Sequence, residues 1–451
     1  MGGGAATLKP ILIEGGTLVL RAMPGVVRAV EGDLLIDGER ISAVGEIEPI
    51  PDDCERVDAR GCVVLPGFVQ THVHLCQTLF RGIADDLPLL EWLQESIWPL
   101  EAAHDPDSLR ASARLAVAEL LLGGTTAVQT METVHHTEAV FEVLEEAGLF
   151  AVAGKCLMDD QETAPEGLVQ PTATAIGEAV ELAETWEGRN GGRLRYCLAP
   201  RFAVSCTENL LREVGELAAK HGWRIHTHAS ENLQEVALVE QRSGRRNITY
   251  LNDVGCTGEH VGLAHCIWVD DDEVELLART RTHVLHCPGS NCKLGSGIAA
   301  VPDLLDEGIS VSLGADGAPC NNNLDMFHEM RLAALLHKPR FGPEAMAAHE
   351  VLWMATVQGA LALGREEGEL GVLAPGAWAN VVVVDLERIH HTPAPDPLSA
   401  LVYSARSADV RDVWLAGKQV VADHHLTLWD EQEIQAEANR EAKKLFARAD
   451  L

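Results

Sequence analysis

The chain has no uninterrupted apolar stretch of the roughly 18 residues that a membrane-crossing helix requires. Its start, MGGGAATLKP, lacks the charged segment followed by an apolar one that a secretory leader carries. A soluble, cytoplasmic protein is the expectation. Basic residues are scarce: 35 Lys and Arg stand against 68 Asp and Glu in 451 residues, a formal charge of −33. The densest basic run, at 242–246, is short. Nucleic acid and anionic membranes are held by clustered Lys and Arg, so neither is an expected partner. No two of the eleven cysteines form a CxxC pair and their number is odd, which favours buried thiols over a disulfide or zinc-ribbon framework. Low-complexity sequence is missing apart from the MGGGAA start, which is expected to be disordered. Hydrophobic residues nevertheless make up 47% of the chain, too much for a disordered polyanion and enough for a sizeable core.

Both ends are β-rich. Short pieces with turn residues between them lie at 11–20, 33–36 and 41–44, and a matching texture returns at 378–384, 412–415 and 419–422. These pieces are expected to pair into one small domain built from both termini. Between them the pattern changes to apolar strands alternating with amphipathic segments such as 207–221, where Leu210, Leu211, Val214, Leu217 and Ala218 recur at helical spacing. Eight strands are expected, at 62–69, 125–130, 150–157, 194–202, 223–228, 261–269, 282–286 and 309–315. Eight βα units close a parallel barrel, with a doubly wound open sheet as the alternative. The expected fold class is therefore α/β, a (β/α)8 TIM-like barrel with a small β-sandwich from both termini. Its parts would be 1–66 and 371–428 for the sandwich, 67–370 for the barrel and 429–451 for a charged, Ala-rich surface helix.

In such a barrel, chemistry gathers at the C-terminal ends of the strands. There the sequence places histidine and carboxylate. The first strand runs into His72-Val73-His74, and residues two apart share a face. The fifth ends His226-Thr227-His228-Ala229-Ser230-Glu231, the sixth carries His265, the seventh His286, and the eighth ends at Asp316. Each group alone has an ordinary structural explanation. Their coincidence at the ends of strands one, five, six and eight points to a metal site, and imidazoles with one carboxylate suit zinc. His226, two residues deeper than His228, is expected to be structural. His104, His135, His136, His221, His390 and His391 are given no metal role.

The strings PGFVQTHVHL, HxxE from His228 to Glu231, LAHC around His265, HCPGSN at 286–291 and GADGAPCNNNLDM at 314–326 together resemble the amidohydrolase superfamily, in its branch of purine and triazine deaminases and hydrolases. The resemblance spans roughly residues 11–425. It implies a barrel with a sandwich from both termini and one divalent metal, Zn²⁺ or alternatively Fe²⁺, held by His72, His74, His228 and Asp316. It also places Glu231 and His265 beside a water, with Glu231, His265 and Asp316 as catalytic residues. Lys155 is similar to the carbamylated lysine of two-metal relatives, but HxxE favours the one-metal type. The activity implied is hydrolytic deamination of a cyclic amidine, giving ammonia.

The stretch from Phe80-Arg81-Gly82 through Trp92 to Trp98-Pro99-Leu100-Glu101 resembles adenosine-type deaminases acting on S-adenosylhomocysteine, 5′-methylthioadenosine or 5′-deoxyadenosine. That resemblance makes Glu101 the acceptor of ribose hydroxyls and Trp92 a wall of the pocket. By contrast, Pro200-Arg201-Phe202-Ala203 stands where many of those enzymes have a histidine, and resembles guanine deaminases, in which the arginine contacts the base. A small-molecule purine nucleoside is the expected substrate of a homo-oligomeric enzyme in purine salvage. Guanine deamination and hydrolysis of an s-triazine or other N-heterocycle are the alternatives, and a non-catalytic relative is a fourth.

Overall fold

The computed structural model describes residues 9–450; the MGGGAA start lies outside the described residues. Eight parallel strands form the barrel: Phe68–His74, Thr125–Met131, Phe150–Gly154, Leu194–Pro200, Arg224–Ala229, Val261–His265, His283–His286 and Val311–Leu313. The chain leaves the eighth strand into a two-residue extension, Asp316–Gly317, which pairs in parallel with Val73 and His74 of the first. That pairing closes the sheet and excludes the open, doubly wound alternative. Closure brings the eighth strand hard against the first, and Gly314 is small for that reason: a Cβ there would lie 2.5 Å from the His72 carbonyl oxygen.

Helices fill the gaps between barrel strands. Glu208–His221 is typical: Thr207 caps it by accepting from the Leu210 amide, and Gly222, in the left-handed region, ends it. Its buried face, Leu210, Leu211, Val214 and Ala218, is the stripe that the sequence pattern marks.

The two termini share one hydrogen-bonded sheet of nine strands. Ile11–Met23 bulges between Ile13 and Gly16, so its first half pairs with Glu55–Asp58 and its second with Cys62–Pro66. Val381–Asp385 from the far end then joins Cys62–Pro66, and Val381 to Val384 are fully buried, each worth roughly 1.5–3 kcal/mol of apolar burial. The expected strand 62–69 is thus two strands: Cys62–Pro66 belongs to the terminal sheet and Phe68–His74 to the barrel. They part at Gly67, where a Cβ would come within 2.1 Å of Thr126 Oγ1. The C-terminal helix, Glu431–Arg448, is seated rather than free. Ile434, Ala438 and Leu445 face inward, against the barrel helix Pro106–Leu122, and Arg448 Nε donates to the Ala103 carbonyl at 2.7 Å. No helix among the described residues is long and apolar enough to cross a membrane.

Candidate active site

His72 and His74 project from the first strand into the mouth of the barrel, and both Nε2 atoms stand 3.3 Å from Asp316 Oδ1. His228, at the end of the fifth strand, lies parallel to the His74 ring with centroids 5.4 Å apart. Its ring is 4.7 Å from that of His72. From the sixth strand, His265 aims Nε2 at the same space, 3.8 Å from Asp316 Oδ2 and 3.6 Å from Glu231 Oε2. The backbone bends sharply to achieve this. Ser230, His265, Cys266 and Asp316 all have positive φ, 52°, 74°, 46° and 64°, a conformation that non-glycine residues adopt at a cost and that gathers at functional sites.

Each imidazole is turned by a hydrogen bond on its other nitrogen. His74 Nδ1 donates to the Met131 carbonyl at 2.8 Å and His228 Nδ1 to the Arg201 carbonyl at 2.7 Å. Carbonyls accept and never donate, so both rings carry a proton on Nδ1 and turn Nε2 toward the shared space. His72 Nδ1 pairs with His226 Nε2 at 2.7 Å and His265 Nδ1 with Asn291 Oδ1 at 2.8 Å. Burial holds His72 neutral, down at about 4, and pushes His228 well below its usual range. His72 Nε2 and His265 Nε2 are buried with no hydrogen-bond partner, and an orphaned buried group costs about 1–3 kcal/mol. A cation among these nitrogens removes that cost. His72, His74, His228 and Asp316 offer three imidazole nitrogens and one carboxylate oxygen, a donor set suited to zinc and its first-row neighbours. Asp316 is itself anchored, with Oδ2 accepting from Ser290 Oγ at 2.6 Å and Oδ1 from the Gly317 amide at 2.7 Å.

A cavity opens beside this cluster. Glu231 lies on its wall, and burial pushes the carboxyl up to about 7. Ser296 Oγ donates to its Oε1 at 3.3 Å. The carboxylates of Glu231 and Asp316 outweigh the burial of His265 and raise that imidazole. Trp92 and Arg201 also line the cavity, with Leu89, Leu93, Phe202 and Leu294 making much of the rest apolar. Glu101 does not line the cavity: it is buried and bonded to two residues that do, Arg201 at 2.6 Å and Gln77 at 2.8 Å. Lys155 lies elsewhere: its ammonium is tied to Gln170 Oε1 at 2.8 Å and Glu178 Oε2 at 3.2 Å, near a separate surface cleft.

Several members of the site escape a sequence reading. Gln77, inside the string HLCQTLFRG, lines the cavity because the short turn Leu75–Phe80 brings it back over the strand end. His226, read as structural, is the group that orients His72. Ser290 and Asn291 belong to HCPGSN, so their motif was visible although their partners were not. The carbonyls of Met131 and Arg201 have no residue-level signal at all.

The model of the "Amidohydrolase family" matches residues 63–420. A 5-methylthioadenosine/S-adenosylhomocysteine deaminase of Pelotomaculum thermopropionicum is 38% identical over 443 residues, covering 97% of this chain and 99% of the relative. A 5′-deoxyadenosine deaminase of Methanosarcina acetivorans is 37% identical over 437 residues, 96% of this chain and 97% of its own. Among solved structures, an adenosine deaminase of Xanthomonas campestris with bound zinc superimposes with a TM-score of 0.90 at 31% identity, covering 97% of this chain and 98% of that one. A closed barrel whose strand ends converge three imidazoles and a carboxylate, and relatives matched over almost their whole length, have one common account: the chain belongs to the amidohydrolase family.

Proposed function

We propose that the chain is a metal-dependent deaminase of adenosine-type nucleosides, converting 5′-deoxyadenosine, 5′-methylthioadenosine or S-adenosylhomocysteine and water to the inosine analogue and ammonia. The observation that carries this is the convergence of Glu231 Oε2 and Asp316 Oδ2 on His265 Nε2, at 3.6 and 3.8 Å, at one end of a largely apolar cavity. Zinc is the metal proposed, held by His72, His74, His228 and Asp316, with iron as the alternative. Such an ion lowers the pKa of its bound water towards about 7.

The chain's own residues do the rest. Glu231, whose carboxyl burial pushes up, gives a proton to the ring nitrogen next to the amino-bearing carbon, which makes that carbon electrophilic. Asp316 accepts a proton from the attacking water, and His265 orients that water. The C–N bond to the amino group breaks as the proton taken by Asp316 passes to the leaving nitrogen, so that ammonia departs, the remaining hydroxyl proton returns to Glu231 and the ring keeps the new oxygen as a carbonyl. Glu101 accepts from the ribose and Trp92 packs on the substrate. The working form proposed is a cytoplasmic homo-oligomer in purine salvage.

Free guanine is the second candidate because of the Pro200-Arg201-Phe202-Ala203 segment. The bond between Arg201 and Glu101 weighs against it, since a guanidinium engaged there is less available to a base. A spectrophotometric deamination assay with ammonia release as the check, on metal-replete enzyme, separates them. Higher kcat/KM on the three nucleosides than on guanine is expected, and turnover of guanine alone would overturn the proposal.

A further inference from the structure

The segment that follows the seventh strand, 288–297, holds all three residues given a chemical role above. Ser290 Oγ donates to Asp316 Oδ2 at 2.6 Å, Asn291 Oδ1 accepts from His265 Nδ1 at 2.8 Å, and Ser296 Oγ donates to Glu231 Oε1 at 3.3 Å. Ser296 is buried and fixed on both sides. Its amide donates to the Asn291 carbonyl at 3.0 Å and its carbonyl accepts from Trp268 Nε1 at 2.8 Å, so only the hydroxyl is left to reach the carboxyl. Gly297, with φ 133°, lets this segment lie close to the loop after the sixth strand: a Cβ there would stand 2.9 Å from Ile267 Cγ2 and 3.1 Å from the Trp268 ring. Trp268 is tied back in turn, its amide donating at 3.0 Å to the carbonyl of Ser230, the residue before Glu231.

A neutral carboxyl has one protonated oxygen and one bare one, and the bare one is the better acceptor. Burial favours the neutral form of Glu231. With the Ser296 hydroxyl donating to Oε1, the acid proton belongs on Oε2, the oxygen turned toward His265 Nε2 at 3.6 Å. As that proton leaves, charge develops on the carboxylate, and hydrogen bonds to an ionised acceptor are shorter and roughly twice as strong as neutral ones. The contact is long while the carboxyl is neutral and gains its strength as the proton is transferred. An interaction that strengthens in the transition state raises kcat and leaves KM largely alone.

We propose that Ser296, seated by Trp268, is a positioning residue that directs the proton of Glu231 to Oε2 and stabilises the carboxylate left behind. This rests on the role of Glu231 as proton donor in the nucleoside deamination proposed above.

The test reads the single-turnover rate and KM of the metal-replete enzyme on 5′-deoxyadenosine. Ser296→Ala should slow the single-turnover rate by about 5- to 50-fold, as for loss of a bond to a developing charge, with KM little changed. Trp268→Phe, which keeps a ring and loses the donor, should give a smaller loss of the same kind. Metal content and melting temperature report whether each variant is folded and loaded. In the Glu231→Gln background, Ser296→Ala should add nothing, because an amide has no acid proton to direct. A wild-type rate for Ser296→Ala, a loss carried by KM alone, or the same fold-loss in both backgrounds would overturn the proposal, and an unchanged Trp268→Phe would overturn the seat assigned to Trp268. Unchanged turnover in Glu231→Gln alone would instead remove the proton-donor role, and turnover of guanine without any nucleoside would remove the substrate assignment; both failures are seen before Ser296 is touched.

Discussion

His72, His74 and Asp316 at the barrel mouth and His390, His391 and Asp409 near the edge of the terminal sheet use the same residue types, and in both the imidazole Nε2 atoms approach one carboxylate oxygen. The environments differ. Asp409 Oδ2 lies 2.9 Å from His390 Nε2 and 3.2 Å from His391 Nε2, and also accepts from the Arg406 amide at 3.1 Å. The His391 Nδ1 has Ser404 Oγ at 2.8 Å. Both Nε2 atoms there have a partner within the protein, no buried polar atom of the cluster is orphaned, and His390 is exposed. At the barrel mouth the Nδ1 atoms are spoken for and His72 Nε2 is left buried without a partner. Its 3.3 Å separation from Asp316 Oδ1 matches two ligands about 2.0–2.2 Å from a shared ion at tetrahedral angles. The presence of two histidines and an aspartate is therefore weak information. What distinguishes a metal site is that hydrogen bonding from behind has left the lone pairs with nowhere else to go.

Substitution of the two aspartates should break the apparent equivalence most sharply. Asp316→Ala is expected to lose the metal, with a fall in activity exceeding the roughly 10- to 100-fold effect of losing an outer partner. Asp409→Ala should keep one metal per chain and near wild-type kcat/KM. Metal analysis of both purified variants decides it, and metal lost from Asp409→Ala but retained in Asp316→Ala would reverse the assignment. Glu231→Gln comes next: it should retain the metal and lose about two to four orders of magnitude in kcat, and unchanged turnover would remove Glu231 from the chemistry.

The strand ends, the HxH and HxxE spacings and the alternating βα pattern were legible because each is a local consequence of chain geometry. Residues two apart on a strand share a face wherever the strand goes, so His72 and His74 could be paired without coordinates. The bond from Arg201 to Glu101 could not, because it spans 100 residues and depends on how far the segment after Phe80 folds over the barrel. Sequence treats these two residues as rival substrate readers, whereas the structure makes them partners. The division at Gly67 was hidden for a related reason. Only Gly67 separates Cys62–Pro66 from Phe68–His74, every residue of both is buried, and only their separate pairing partners show that they are two strands.

The outer partners offer a finer comparison. His226→Ala removes the group that turns His72 and should weaken metal affinity by about 10- to 100-fold, measured by chelator competition, with activity restored by excess metal. Ser404→Ala, which removes the equivalent neighbour of His391, should leave metal affinity unchanged.

The pH dependence has the smallest expected effect and probes the catalytic carboxyl alone. Burial raises Glu231 to about 7, so its proton is present below that pH and lost above it. A group that must donate that proton makes kcat/KM fall by about tenfold per unit on the alkaline side. A cation in the adjacent cluster favours the ionised form and draws this limb downward, so it should lie at or below about pH 7 in the metal-loaded enzyme. Glu231→Gln should abolish the limb in its residual rate, whereas Asp409→Ala should leave it in place, because the self-satisfied cluster has no path to the reacting atoms. A limb that moved with Asp409 and not with Glu231 would mean that the two clusters are coupled through the fold, and the contrast between them would have to be redrawn.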